Sequence, residues 1–70
     1  ERVAPGPGGE FHVWLNVQPE EATCRGGRCH VDGNVLVVKP EGGTVWVSLK
    51  LPAGYNLTVE FALNFKAEGG

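Results

Sequence analysis

The chain has 70 residues, of which six are basic and eight are acidic, and its formal net charge is −2. A chain this short buries only about 60% of the surface that its unfolded form exposes, so we expect one thinly stable domain that a disulfide, a metal or a partner chain reinforces. The charge balance disfavours nucleic acid and anionic lipid as partners, and no apolar run approaches the roughly 20 residues that a membrane span needs.

Proline and glycine dominate the beginning of the chain. Residues 1–9 hold two Pro and three Gly, a composition that favours neither a strand ladder nor a helix. We therefore predict a flexible leader over residues 1–9, a single β domain over residues 10–67 and a frayed tail over residues 68–70. Because the chain begins with Glu1 rather than Met, we expect a mature fragment or a domain of a longer protein.

The first strand signal covers residues 11–18, where apolar and polar side chains alternate. This period of two is typical of a strand with one buried face. The side chains expected to face inward are Phe11, Val13, Leu15 and Val17. The opposite face carries His12 and Trp14 together with two polar residues.

The next segment, residues 24–29, has two cysteines around paired glycines. It reads as a tight hairpin, because two glycines suit the positive backbone angles of a two-residue turn. The cysteines would then face each other with Cα atoms roughly 4.5 to 5.5 Å apart, which suits a disulfide. We therefore predict a disulfide hairpin that joins Cys24 to Cys29 and stabilises the fold by about 2 kcal/mol. The predicted turn consists of Arg25, Gly26, Gly27 and Arg28.

A disulfide between Cys24 and Cys29 bears on both location and chemistry. Because cytosolic thiols are kept reduced, the bond favours an extracytoplasmic location, which is periplasmic, secreted or at the cell surface. As a static staple the bond would only stabilise the fold, and this is the interpretation that we prefer. As a redox pair it would draw on Arg25 and Arg28, whose positive charges would stabilise a thiolate.

His30 extends the cysteine segment to the pattern Cys-x4-Cys-His, a longer relative of the haem-attachment motif. The chain has no Met and no helix signal to support a haem, and His12 is the only other imidazole. Zinc held by the two cysteines, His30 and His12 lacks a second ligand pair at close spacing. We therefore predict no metal and no cofactor.

Three further strand signals follow a turn at residues 32–34. The run at residues 35–39 is uniformly apolar, so no face can be assigned to it, whereas residues 45–51 and 57–65 alternate. Gly or Pro interrupts every gap, and no segment has helical spacing. The side chains expected to face inward are Val45, Val47, Leu49, Leu51, Leu57, Val59, Phe61, Leu63 and Phe65.

These elements define an all-β fold class. We predict a small antiparallel sheet of about five to six strands without substantial helix. Since no helix can cover the apolar face of the sheet, the strands must form a β-sandwich or a small barrel, or be completed by dimerisation. The sequence leaves these three arrangements open.

Two tryptophans fall on the polar side of their strands, Trp14 beside His12 and Trp46 beside Ser48. Aromatic rings among hydrogen-bonding side chains suit a binding surface, and Trp is enriched at binding hot spots. The alternative is that the rings pair across strands or cover a second small core. Tyr55 either joins the surface or pins its turn to the sheet. The candidate binding surface consists of His12, Trp14, Trp46 and Tyr55.

Residues 47–55, with the element Leu-Pro-Ala-Gly-Tyr, and the cysteine segment at residues 24–29 resemble parts of one known family. They are similar to elements of the amino-terminal, immunoglobulin-like domains of bacterial transmembrane thiol-disulfide interchange proteins. In that family the Leu-Pro-x-Gly-Tyr element precedes the cysteine hairpin, whereas here it follows. The resemblance implies that Cys24 and Cys29 exchange electrons with a thioredoxin-like partner.

The sequence carries no Ser-His-Asp set, paired apolar-flanked carboxylates or phosphate loop, so we expect no catalytic residues. We predict a non-enzymatic β module of an extracytoplasmic or surface protein. It would bind a protein or a small ligand, or serve assembly, through an outer face that bears Trp14 and Trp46. The alternative is a thiol-disulfide redox module that uses Cys24 and Cys29, and a third hypothesis is a structural homodimer.

Overall fold

The computed structural model describes residues 2–55 and 57–65, which form seven strands in two antiparallel sheets. The strands are β1 (Arg2–Pro5), β2 (Phe11–Trp14), β3 (Glu21–Arg25), β4 (Gly27–Asp32), β5 (Val35–Pro40), β6 (Thr44–Lys50) and β7 (Thr58–Asn64). Sheet A has the order β1-β2-β5-β4, and sheet B has the order β3-β6-β7. The predicted all-β class is confirmed. The described residues form seven strands, where five or six were expected, and these strands make two sheets of four and three.

Helical structure within the described residues is limited to one short 3₁₀ turn at Pro7–Gly9. None of these residues belongs to a helix with the length and apolar character that a bilayer crossing requires. The prediction of no substantial helix is therefore confirmed for this part of the chain.

The core is one cluster to which both sheets contribute. Leu36 and Val38 of β5 and Val45 and Val47 of β6 are almost completely buried. β5 lies between two strands of sheet A, and β6 is the central strand of sheet B. Because burial of apolar surface is the main favourable term in folding, these two strands hold the sheets together.

The alternation of β6 predicted its two faces correctly, since its apolar residues are buried and Trp46 is exposed. β5 shows why a uniformly apolar run does not reveal which of its side chains face the core. Its Leu36 and Val38 enter the core, but Val37 on the opposite face is also only 7% exposed. There His12 of β2 and His30 of β4 lie beside Val37 in register.

Two predicted strands are shorter in the structure. β2 ends at Trp14, after which Leu15 donates its backbone N–H to the Asn34 carbonyl at 2.8 Å and accepts from the Asn34 side-chain amide at 3.1 Å. The chain then leaves sheet A to begin β3 in sheet B. β7 begins only at Thr58, and Leu57, which was expected to face inward, is 53% exposed.

The segment predicted as a flexible leader, residues 1–9, contains a strand in the structure. Arg2–Pro5 form β1, which pairs with β2 at the edge of sheet A. A proline is compatible with this position, because an edge strand has one side on which no ladder N–H is needed. Gly6 donates its N–H to the Glu10 carbonyl at 2.7 Å and closes the connection to β2. The predicted tail over residues 68–70 lies outside the described residues.

The paired glycines form a corner between the sheets and not a hairpin. β3 and β4 flank Gly26 but belong to different sheets. Gly26 has a φ of 87°, and a Cβ built on it would overlap the carbonyl oxygen of Thr44. A Cβ on Gly27 would lie 2.6 Å from the carbonyl oxygen of Lys39. Both positions therefore need glycine for close backbone approach, and Gly26 needs it for its positive φ as well.

This corner touches another connection between the sheets, the one from β5 to β6. Glu41 donates its backbone N–H to the Gly26 carbonyl at 2.9 Å. The prediction of a primed two-residue turn is wrong. The same glycine pair also permits a corner in which Gly26 has a positive φ and Gly27 does not. Turn chemistry alone does not distinguish the two outcomes.

Gly26→Ala should destabilise the fold much more than Gly33→Ala. Both glycines have positive φ, but Gly33 has open space where its Cβ would lie. We expect a loss of about 1 kcal/mol for Gly33→Ala from backbone strain alone, and about 3 kcal/mol or more for Gly26→Ala, where overlap is added to strain. Urea unfolding of both variants measures the difference, and equal losses would contradict the corner.

Candidate functional site

The two tryptophans lie on different sheets. Trp14 follows buried Val13 on β2 and is 39% exposed, whereas Trp46 lies between buried Val45 and Val47 on β6 and is 60% exposed. Because the buried neighbours of both tryptophans enter the same core, the rings point away from that core on opposite faces of the molecule. The structure therefore divides the predicted binding surface, and no single outer face carries both Trp14 and Trp46.

The outer face of sheet A brings two of the predicted residues together. His12 and Trp14 make an edge-to-face ring contact with centroids 6.0 Å apart. Gly6 passes close to His12, since a Cβ on Gly6 would lie 2.9 Å from the Nε2 atom. His12 also lies beside Val37, which is buried on this face. These contacts favour the interpretation that His12 and Trp14 cover a small outer apolar patch.

The outer face of sheet B forms an open groove of about 600 Å³ around Trp46. One row across the sheet places Arg25 of β3 and Ala62 of β7 on either side of Trp46. The next row places Ser48 between a hydroxyl and a carboxylate. We call this surface the Trp46 groove, and its outward side chains are Thr23, Arg25, Trp46, Ser48, Glu60 and Ala62.

Sequence reasoning identified Trp46 but missed most of its neighbours. Alternation shows that Ser48 and Glu60 point outward, but it does not show that β6 lies between β3 and β7. Arg25 was assigned to a turn, whereas it is the last residue of β3 and lies opposite Trp46. The strand order was the missing information.

Tyr55 lies in a separate place, at the turn between β6 and β7. Its backbone N–H donates to the Pro52 carbonyl at 2.9 Å and closes the turn, while its side chain is 53% exposed. Tyr55 does not line the Trp46 groove. The structure thus brings together His12 and Trp14, and leaves Trp46 and Tyr55 apart from them.

The predicted disulfide is present, but it joins the two sheets. Cys24 of β3 in sheet B is bonded to Cys29 of β4 in sheet A, with Cα atoms 6.1 Å apart. In the ladders Cys24 lies opposite Val47 and Cys29 lies opposite Val38. Both cysteines are half-buried and pack against the core, so the bond is a cross-link between sheets beside the corner.

The two arginines do not surround the disulfide as the redox interpretation required. Arg25 and Arg28 alternate with the cysteines along β3 and β4, so they point outward while the cysteines point to the core. Arg25 joins the Trp46 groove. Arg28 lies opposite Lys39 on sheet A and forms an ion pair with Glu41, with Nε and Oε2 3.7 Å apart. An exposed pair of this kind contributes little to stability.

Metal ligation and similarity to known proteins give no further identification. The described residues contain no group of three or more His, Cys, Asp and Glu side chains arranged to hold a metal ion. Both thiols that the haem and zinc interpretations required are joined in the disulfide.

No protein family, curated protein or solved structure matches the chain.

Removing the cross-link should lower the free energy of unfolding by about 2 kcal/mol, the chain-entropy value for so short a loop. We expect this loss for the double variant Cys24→Ala/Cys29→Ala and for the reduced wild-type protein, measured by guanidinium unfolding. Adding dithiothreitol to the double variant is the control and should change nothing. An unchanged midpoint on reduction of the wild type would show that the bond does not constrain the unfolded chain.

Proposed function

We propose that the protein is a non-enzymatic binding module of an extracytoplasmic or surface protein and that the Trp46 groove is its binding surface. The observation that carries this proposal is the 60% exposure of Trp46 between two buried valines on the central strand of sheet B. At this position the indole ring adds little buried apolar surface to the core. Trp is one of the three residue types that are enriched at binding hot spots.

The position of Trp46 supports a preorganised platform. β6 is bonded to β3 on one side and to β7 on the other, so the backbone that carries the ring is held by two ladders. Of its two cross-strand neighbours, Ala62 is small and Arg25 is long, and Ser48 is the next outward residue of β6. Binding residues on strands are held more precisely than residues on loops. The short side chains of Ala62 and Ser48 leave the indole open to a ligand on the side away from Arg25.

The fold and the location belong to the same proposal. We infer that the two sheets pack as a β-sandwich within one chain, because the core cluster takes residues from both sheets. A homodimer is then not needed to cover the apolar faces. The Cys24–Cys29 bond supports an oxidising, extracytoplasmic location, since disulfides persist in such compartments.

Trp46→Ala should abolish binding without unfolding the protein. We expect the free energy of unfolding to change by no more than about 0.5 kcal/mol, as for other surface substitutions. The loss of affinity should be about 30-fold or more, which corresponds to a hot-spot residue. Interferometry against a panel of purified extracellular proteins and polysaccharides measures binding, and thermal unfolding monitors the fold.

Trp14→Ala is the matched control, because Trp14 lies on the opposite face and should leave binding unchanged. Trp46→Phe keeps an aromatic face and should retain part of the affinity. A collapsed melting transition for both Trp46 variants would assign the ring to the core. That result, or a panel in which no ligand depends on Trp46, would refute the proposed function.

A thiol-disulfide redox module is the second candidate function, and the observation that favours it is the bond itself, formed between two half-buried cysteines. Against it stands the direction of Arg25 and Arg28, away from the sulfurs. The proposed static role implies a reduction potential below about −300 mV, as for structural disulfides in secreted proteins. A redox module would lie between about −270 and −120 mV, the range of thioredoxin-like partners.

Equilibration of the chain in dithiothreitol buffers, followed by thiol trapping, measures this potential. We expect a value below the glutathione range. A value inside the thioredoxin-like range, together with exchange with a thioredoxin-like protein, would favour the redox module over the binding module's static cross-link.

A further inference from the structure

The rows of side chains around Trp46 indicate what kind of ligand the groove suits. We propose that the Trp46 groove binds an uncharged oligosaccharide, with one sugar ring stacked on the indole of Trp46. This inference rests on the proposed function and names its ligand class. It is carried by the combination of an aromatic platform, a hydroxyl-rich row and a balanced pair of charges on one sheet face.

The indole supplies the apolar part of the contact. One face of a pyranose ring presents C–H groups, and these pack on a flat aromatic surface while the hydroxyl groups at the ring edge stay free to bond. Trp combines a large apolar face with one N–H donor, which suits a ligand that is apolar on its faces and polar at its rim. Trp46, at 60% exposure, is accessible enough for such stacking.

The neighbouring row supplies hydrogen bonds to the ring edge. Thr23, Ser48 and Glu60 lie in register across the three strands of sheet B. This row is two residues from Trp46 along β6, which is about 7 Å on the same face of a strand. Hydroxyl groups donate and accept, and a carboxylate accepts. These side chains can therefore bond the vicinal hydroxyl groups of a sugar stacked on Trp46.

The charges of the groove favour an uncharged ligand. Arg25 lies beside Trp46 and Glu60 lies in the adjacent row, so the groove holds one positive and one negative side chain. The row beyond repeats this balance, with Lys50 between Glu21 and a threonine. A polyanion or a strongly basic peptide would meet a like charge in either case, whereas a hydroxyl-rich chain can bond to both signs.

A second copy of the chain fits this face less well. Among the described outward residues of sheet B, only Trp46 and Ala62 are apolar, and Trp46 is the only large one. A stable protein interface buries about 800 Å² on each partner around an apolar centre. One indole surrounded by hydroxyl groups and charges offers a smaller centre, of the size of a single sugar ring.

The test uses the 70-residue chain and soluble hexasaccharides of four uncharged types, namely β-1,4-glucan, β-1,4-xylan, α-1,4-glucan and chitin. Calorimetry measures affinity, and tryptophan fluorescence reports contact with the indole. We expect at least one oligosaccharide to bind with a dissociation constant in the micromolar to millimolar range. Trp46→Ala should remove this binding, and Trp14→Ala should preserve it.

Two further variants test the polar row. Ser48→Ala and Glu60→Ala should each weaken binding by about three- to tenfold, the effect of one lost hydrogen bond, with unchanged melting. Lys39→Gln, on sheet A, is the surface control and should have no effect. Binding that depends on Trp46 but is indifferent to both groove variants would overturn the assignment of the row.

The outcomes separate the ligand class from the function. If the wild type ignores all four oligosaccharides but binds a purified protein through Trp46, the saccharide inference is wrong and the proposed function stands. If no ligand of any class depends on Trp46, both are wrong. If sedimentation shows a dimer that Trp46→Ala dissociates, the occupant is a second copy and the saccharide inference is overturned.

Discussion

The structure depends on the burial of β5 and β6 against each other across two sheets. Leu36 and Val38 from one sheet and Val45 and Val47 from the other lose almost all contact with water. In a chain of 70 residues no second core can compensate for this one. Successive side chains of a strand point to opposite faces. Because Val45 and Val47 of β6 enter the core, Trp46 between them must point to solvent. The exposure of Trp46 is therefore a direct result of the core.

The cross-link and the glycine corner act at the same side of this core. The corner lets the chain pass from sheet B to sheet A within one residue, and the disulfide then joins the residues that flank it. Gly26 meets the β5–β6 connection at Thr44 and Glu41, so two of the three connections between the sheets share one contact region. This arrangement directs both cysteines to the core and both arginines outward, which makes Arg25 available to the surface around Trp46.

Sequence reasoning succeeded where a residue's neighbours along the chain decide its environment. The alternation of β6 gave its buried face. The bond between Cys24 and Cys29 was also predicted, although from a hairpin where the structure has a corner. It failed where distant parts of the chain decide. The glycine pair permits both a hairpin and a corner, and the corner places Gly26 beside the carbonyl of Thr44, a residue distant in the sequence. The edge strand β1 forms by pairing with β2. Its own proline-rich sequence does not predict a strand. The groove around Trp46 needed the order of three strands, which the sequence leaves open.

The position of the disulfide also makes the two sides of the molecule unequal. On one side the sheets are joined covalently between β3 and β4, whereas on the other they meet through the rings of Phe11 and Phe65, whose centroids are 4.5 Å apart. We therefore expect thermal opening between the sheets to begin on the side of the phenylalanine rings. Amide hydrogens near Phe65 should then exchange with solvent through small, frequent openings, whereas those beside Cys24 and Cys29 should exchange mainly on global unfolding.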